Sequence, residues 1–117
     1  MNKVIEKMQK CFSYDTCHHS YQHRWSPNLP SVGHCAIASL LLNEQYGFPV
    51  YKTKVGNSTH YYNIDGNGMV VDVTANQFEK EIPYEKGILC NPQSMLKVQD
   101  TKERYEKLKN RFLDLEV

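Results

Sequence analysis

A thiol, an imidazole and a carboxylate follow one another along this chain as Cys35, His60 and Asp72. Cys35 opens the apolar run Cys35-Ala36-Ile37-Ala38-Ser39-Leu40-Leu41-Leu42. His60 lies in Ser58-Thr59-His60-Tyr61-Tyr62, and Asp72 in Val71-Asp72-Val73-Thr74. Brought together, these three types perform acyl transfer: a thiolate attacks a carbonyl carbon, the histidine takes the proton and returns it to a leaving group, and the carboxylate holds the imidazole in its working tautomer. A helix N-terminus and a neighbouring imidazolium both favour the thiolate. The backbone N–H of Cys35, at the same helix end, can face a developing oxyanion. A second donor has three candidates, His34, Gln22 and Asn28, and the residues do not choose among them. Trp25, Tyr61 and Tyr62 are candidates for cleft walls. Taken singly, each triad residue has a plainer role: Cys35 as a small buried residue, His60 as a hydrogen-bonded sheet histidine, Asp72 as a turn residue. Their order is what favours a site.

The elements that must position them are legible in outline. Val4, Ile5, Met8, Cys11 and Phe12 recur at helical spacing and predict a first helix. Periodicity then vanishes from Ser13 to Pro30, a stretch of loops and short turns. Pro30-Ser31 supplies a break and an N-cap for the helix carrying Cys35, which is apolar on every face and therefore central; Gly47 and Pro49 end it. Val50 to Val55 reads as a strand turned by Gly56-Asn57. Thr59–Ile64 and Met69–Thr74 read as a hairpin joined through Asp65-Gly66-Asn67-Gly68. Side chains alternate across a sheet, so His60 and Asp72 share a face only if the hairpin loop is odd. A three-residue loop with Gly68 in the left-handed region satisfies that condition. Gln77 to Pro92 reads as connection. Asp100-Thr101-Lys102-Glu103 reads as a capping box for a last helix that buries Tyr105, Leu108, Phe112 and Leu115 and exposes Lys102, Glu103, Glu106, Lys107 and Lys109.

Composition bounds the function. The chain has 117 residues, 40% of them hydrophobic and 11% aromatic, with a formal charge of +1. That suits one domain over residues 1–117, an α+β fold in which the buried helix packs on a small antiparallel sheet between N- and C-terminal helices. Near-neutral charge offers no case for nucleic acid or an anionic membrane as partner. Met1 to Met8 lacks the apolar run of a secretory signal, which points to a cytoplasmic protein whose four cysteines stay reduced. A competing use of those cysteines is zinc: Cys17-His18-His19 and His23, with Cys11, gather soft ligands, though at no standard spacing.

The order of a helix-borne cysteine and strand-borne histidine and aspartate resembles the transglutaminase-like and papain-like cysteine-enzyme core. More closely, Trp25-Ser26, Pro30, Gly33-His34-Cys35-Ala36, His60-Tyr61-Tyr62-Asn63, Asp72-Val73-Thr74, Gln77-Phe78 and Asp100-Thr101 with Arg104-Tyr105 and Leu108 resemble the YunG family of small bacterial proteins. In that family glutamine commonly precedes the cysteine, where this chain has His34. The expected activity is thiol-dependent acyl transfer on a peptide or amide substrate, without a cofactor or metal: a peptidase, amidase, deamidase or transglutaminase-like enzyme. The alternatives are an inactive binding module of the same fold and the small zinc domain. The sequence leaves the oligomeric state open.

Overall fold

A computed structural model describes residues 1–115. It is an α+β fold with four α-helices and a four-stranded antiparallel sheet among the described residues. Helix α1 (Asn2–Lys10) buries Met8, and Cys11 and Phe12 continue its apolar side into the core. The next eighteen residues form only two 3₁₀ turns, Tyr14–Thr16 and His19–Arg24.

Helix α2 (Cys35–Tyr46) is the centre, with Ile37 to Leu42 all buried. A helix apolar on every side must be covered on every side. Here Met8, Leu108, Phe112, Val71 and Val73 supply the cover. Gly47 ends the helix at φ +74°, the left-handed conformation that glycine adopts without penalty. The expected cap at Ser31 is corrected: α2 begins at Cys35 itself, behind His34, with no side-chain cap. Ser31 instead accepts the His34 N–H on its carbonyl, 3.1 Å, and that turn sets the helix start.

Strand β1 (Val50–Val55) pairs with β2 (Ser58–Ile64) from Val50–Asn63 to Val55–Ser58, leaving Gly56 and Asn57 as a two-residue loop. Gly56 has φ +61° and Asn57 a negative φ, the signature of a type II′ turn. Strand β3 (Val70–Val71) pairs with β2 at Asn63 and Ile64. The Asp65 N–H reaches Met69 O at 2.9 Å and the Gly68 N–H reaches Asp65 O at 3.1 Å, so Gly66-Asn67-Gly68 is a three-residue loop with Gly68 at φ +78°. The odd loop required for His60 and Asp72 is present.

Three other expectations change. The second hairpin strand is two residues rather than Met69–Thr74, because Asp72 Oδ1 accepts the Thr74 N–H at 3.2 Å and bends the chain into the 3₁₀ turn Ala75–Gln77. The connection after Gln77 holds a further 3₁₀ turn (Tyr84–Lys86), an edge strand β4 (Ile88–Leu89) antiparallel to β1, and α3 (Pro92–Met95) capped by Asn91. The last helix, α4 (Gln99–Asp114), has Val98 as its N-cap and no side-chain cap, while Asp100 sits inside it and holds Arg104 Nε at 2.9 Å. Its buried stripe is Tyr105, Leu108 and Phe112, with Leu115 partly covered, and it also buries Arg104, which donates to Thr16 O. No described helix is long and apolar enough to cross a membrane.

Candidate active site

Alternation along β2 puts His60 and Tyr62 on the face shared with Thr53 of β1. Asn63 and Val71 point to the opposite face, where Asn63 Nδ2 donates to Ser39 O of α2 at 2.9 Å. Extending the β2–β3 register by one residue sets Asp72 opposite Tyr62, and hence on the His60 face. The side chains meet: His60 Nε2 lies 2.6 Å from Asp72 Oδ2, both nearly inaccessible to solvent. Asp72 is held by two further bonds, since Oδ2 also accepts the Tyr84 hydroxyl at 2.7 Å and Oδ1 accepts the Thr74 N–H. Asp72 therefore serves as turn residue and histidine partner at once.

The cysteine arrives from the helix. Gly33, at φ +76°, packs so closely on Cys17 that a Cβ there would overlap its sulfur, and Gly33 O accepts the His18 N–H at 3.1 Å. This pins the approach to Cys35 at the mouth of α2. Strand β3 pairs with β2 only at Asn63 and Ile64, so among the described residues no strand covers the edge of β2 at His60 that lies away from β1. Cys35 Sγ lies there, 4.0 Å from Thr59 O, half-buried and facing two cavities of about 40 and 410 Å³.

His60 is held in its protonated form by its partners. Burial alone would lower its pKa, but the hydrogen bond to the Asp72 carboxylate, its negative charge and the nearby Cys35 sulfur raise it from 6.5 to about 9. With Nε2 committed to Asp72, Nδ1 is the nitrogen left for the thiol. The Gln77 amide reaches the same Nδ1 at 3.1 Å, and the Phe78 ring stands edge-on to the imidazole at 4.9 Å. In the neutral ring Nδ1 accepts from the Gln77 Nε2; in the imidazolium it donates, and Gln77 must turn its amide oxygen inward.

A stability consequence follows from the sign of this shift. A histidine whose folded pKa exceeds its unfolded value stabilises the fold fully below about pH 6.5, and that contribution is lost as pH rises through about 9. Urea denaturation should show wild type less stable at pH ~9.5 than at pH ~6, and His60→Asn should shrink the drop. The variant is needed because Tyr84, Cys11, Cys17 and Cys90 are all raised by burial first, and these acids erode stability in the same alkaline range. An equal drop in both proteins would remove His60 as the cause.

Other expected site residues are distributed differently. His34 is fully buried, stacked on Phe12 at 4.4 Å, with Nδ1 donating to Val32 O and Nε2 accepting from the Thr16 hydroxyl. Burial lowers its pKa to about 4, and it has no N–H free for an oxyanion. Gln22 donates to Tyr14 O, and neither it nor the exposed Asn28 lines a cavity at Cys35. Gln77 does. Tyr61 forms a cleft wall, whereas Tyr62 is buried with its hydroxyl on Tyr84 O, and Trp25 donates to Pro30 O away from the cleft. Tyr21 and Phe78 take the vacated wall positions.

The zinc set is not assembled. Cys11 turns to Lys7 O and Cys17 is buried against Val32 O. Among the described residues, the metal-type group is His18, His19 and Asp100. In it His18 Nδ1 already accepts the Ser20 N–H, which leaves the proton of the neutral ring on Nε2, and Asp100 is paired with Arg104. That arrangement opposes ligation.

Comparison with known proteins gives a family. The family model described as YunG protein matches residues 1–116. The Bacillus subtilis (strain 168) protein described as uncharacterized protein YunG is 32% identical over 89 residues, covering 76% of this chain and 75% of that protein. No solved structure matches.

Proposed function

The chain belongs to the YunG family, and we propose that it is a thiol-dependent acyl-transfer enzyme with a minimal transglutaminase-like or papain-like core, working on a peptide or amide. The observation that carries this is the buried His60, gripped by Asp72 through Nε2, while Cys35 Sγ at the mouth of α2 lies 4.0 Å from the carbonyl of Thr59, the residue before it. A purely structural sheet histidine has no need of a carboxylate that is itself fixed by Tyr84 and the Thr74 N–H.

In this mechanism the Cys35 proton already rests on His60 Nδ1, as the imidazolium, and the Sγ thiolate bonds to the substrate carbonyl carbon. The developing oxyanion faces the Cys35 N–H, one of the first-turn donors that α2 cannot satisfy internally. Collapse of the tetrahedral species breaks the C–N bond, and the amine leaves with the proton from His60. Water or an amine then attacks the thioester, with His60 again taking the proton. Asp72 stays ionised throughout and stabilises the imidazolium. The proposal includes a cytoplasmic, reducing setting, which keeps all four cysteines as the free thiols they are here.

p-Nitrophenyl acetate tests it without a known substrate. Wild type should release p-nitrophenol in a burst, and the acetyl group should be found by mass spectrometry on the Cys35 peptide alone; Cys35→Ser should abolish both. Acetylation spread equally over Cys11, Cys17, Cys35 and Cys90 would defeat the proposal. An inactive binding module is the outcome if Cys35 acylates slowly and the adduct never turns over.

A further inference from the structure

Three cavities meet at Thr59, and their charge is one-sided. The two that contain Cys35 are lined by Arg24 in one case and by His18 and Arg104 in the other; the third, about 370 Å³, is lined by Lys52, Lys54 and Lys86 with Thr53 and Ile88. Among the described residues, none of the three has an Asp or Glu in its lining. Glu81, Glu85 and Lys80 line an adjoining cavity, which shares Lys54 and Pro83 with the third. For a chain with 14 Lys and Arg against 13 Asp and Glu, this is segregation rather than composition.

The cations differ in availability. Arg104 is buried and already paired with Asp100, so its charge is largely spent. Arg24, Lys52, Lys54 and Lys86 make no ion pair among the described residues. Lys52 and Lys54 are two apart on β1 and so share a face, and Lys54 Nζ donates to Thr59 Oγ1 at 2.9 Å, which ties the lysine group to the residue whose carbonyl faces Cys35. Lys86 comes from the turn before β4, the strand whose Ile88 pairs with Lys52.

We infer that the acyl substrate of Cys35 is an acidic polypeptide segment, held with negative side chains on Arg24 at one side of the thiol and on Lys52, Lys54 and Lys86 at the other. The inference rests on the thiol-dependent acyl transfer proposed above, because only that chemistry puts an amide carbonyl between the two basic groups. Cationic clefts concentrate an anionic ligand and weaken in salt. Nucleic acid shares the charge but offers no carbonyl in an acyl linkage for Cys35 to attack.

Two measurements separate this inference from its premise. Fluorescence anisotropy with a labelled short poly-L-glutamate peptide tests recognition whether or not Cys35 reacts. Binding should weaken roughly tenfold in the Lys52→Gln, Lys54→Gln, Lys86→Gln triple variant and severalfold in Arg24→Gln, and it should fade in high salt. Unchanged affinity in both variants overturns the inference, as does tighter binding of a single-stranded oligonucleotide of similar charge. Alkylation adds the local test: relative to a model peptide thiol, Cys35 should prefer anionic iodoacetate over neutral iodoacetamide, and Arg24→Gln should cut that preference about threefold. Fast reaction with both reagents but no preference sinks the inference and leaves the thiol chemistry standing. No fast reaction with either, together with retained peptide binding, sinks the thiol chemistry instead.

Discussion

Replacing His60 with alanine should slow alkylation of Cys35 by iodoacetamide at mildly acidic pH by about 100-fold or more, and erase its lead over Cys11, Cys17 and Cys90. The other three thiols set a clear background. Cys11, Cys17 and Cys90 are all shifted by burial toward the unreactive thiol, Cys17 to about 11, and Cys11 and Cys17 are buried as well. At low pH a fast thiol requires a neighbouring cation to stabilise its anion, and His60, raised to about 9, is protonated there. Arg24 lines the smaller cavity with Cys35 but is exposed, so its screened charge supplies only a small part. His60→Ala removes the cation next to the sulfur and leaves Asp72 behind. His60→Lys restores a charge without an exchangeable role at neutral pH. It should recover part of the alkylation rate while leaving the acetyl-enzyme of the p-nitrophenyl acetate assay without turnover. Equal rates in wild type and His60→Ala, with circular dichroism unchanged, would mean that the imidazole does nothing for the thiol.

The parts of this architecture that the sequence made legible are those where burial has a period. Helix α2 announced itself by apolar residues on every face, and β1 and β2 by alternation closed with glycine turns. The odd loop at Gly68 could be argued from parity alone, and it is the feature that lets His60 and Asp72 share a face. Strand β4 had no such signal. Ile88 and Leu89 are both more than 60% exposed, so pairing with β1 comes from backbone hydrogen bonding and leaves no pattern of inside and outside.

The errors at the helix starts have a single physical origin. Ser31 and Asp100 are good capping types in isolation, but tertiary partners claimed them: a turn through Gly33 moved the start of α2 past Ser31, and the buried Arg104 drew Asp100 into the first turn of α4. The same competition hid the support of the site. His34 stands beside Cys35 in sequence, yet its ring is taken by Thr16, Val32 and Phe12 in the core. Gln77 and Tyr84 stand far from His60 and Asp72 in sequence and touch them in space. Their only sequence signal was the Gln77-Phe78 pair shared with the family. Nothing local marked Tyr84, because the segment that carries it is ordered by covering the His60 face and not by any repeat of its own.

That covering segment gives the second large effect. Gly87→Ala should cost on the order of 3 kcal/mol of stability, although the backbone there, at φ −65°, suits alanine. The obstacle is spatial: a Cβ on Gly87 would overlap the Tyr62 hydroxyl, and Tyr62 is only 1% exposed, with nowhere to go. Its hydroxyl is donated to Tyr84 O at 3.0 Å, and Tyr84 in turn donates its own hydroxyl to Asp72. Displacement at Gly87 therefore travels through two tyrosines to the carboxylate that holds His60. Urea denaturation should find the loss, and the His60 titration followed by NMR should move downward from about 9 as Asp72 loosens. Tyr62→Phe deletes the overlapping oxygen, so the double variant should regain about half the stability lost by Gly87→Ala or more, a strongly non-additive pair. The recovery stays partial, since the Tyr62 ring carbon that bore the oxygen also stands within 3 Å of the added Cβ. Additive losses would show that Tyr62 is not the obstacle. An unmoved His60 titration in a destabilised Gly87→Ala protein would show that the tyrosine chain ends before Asp72.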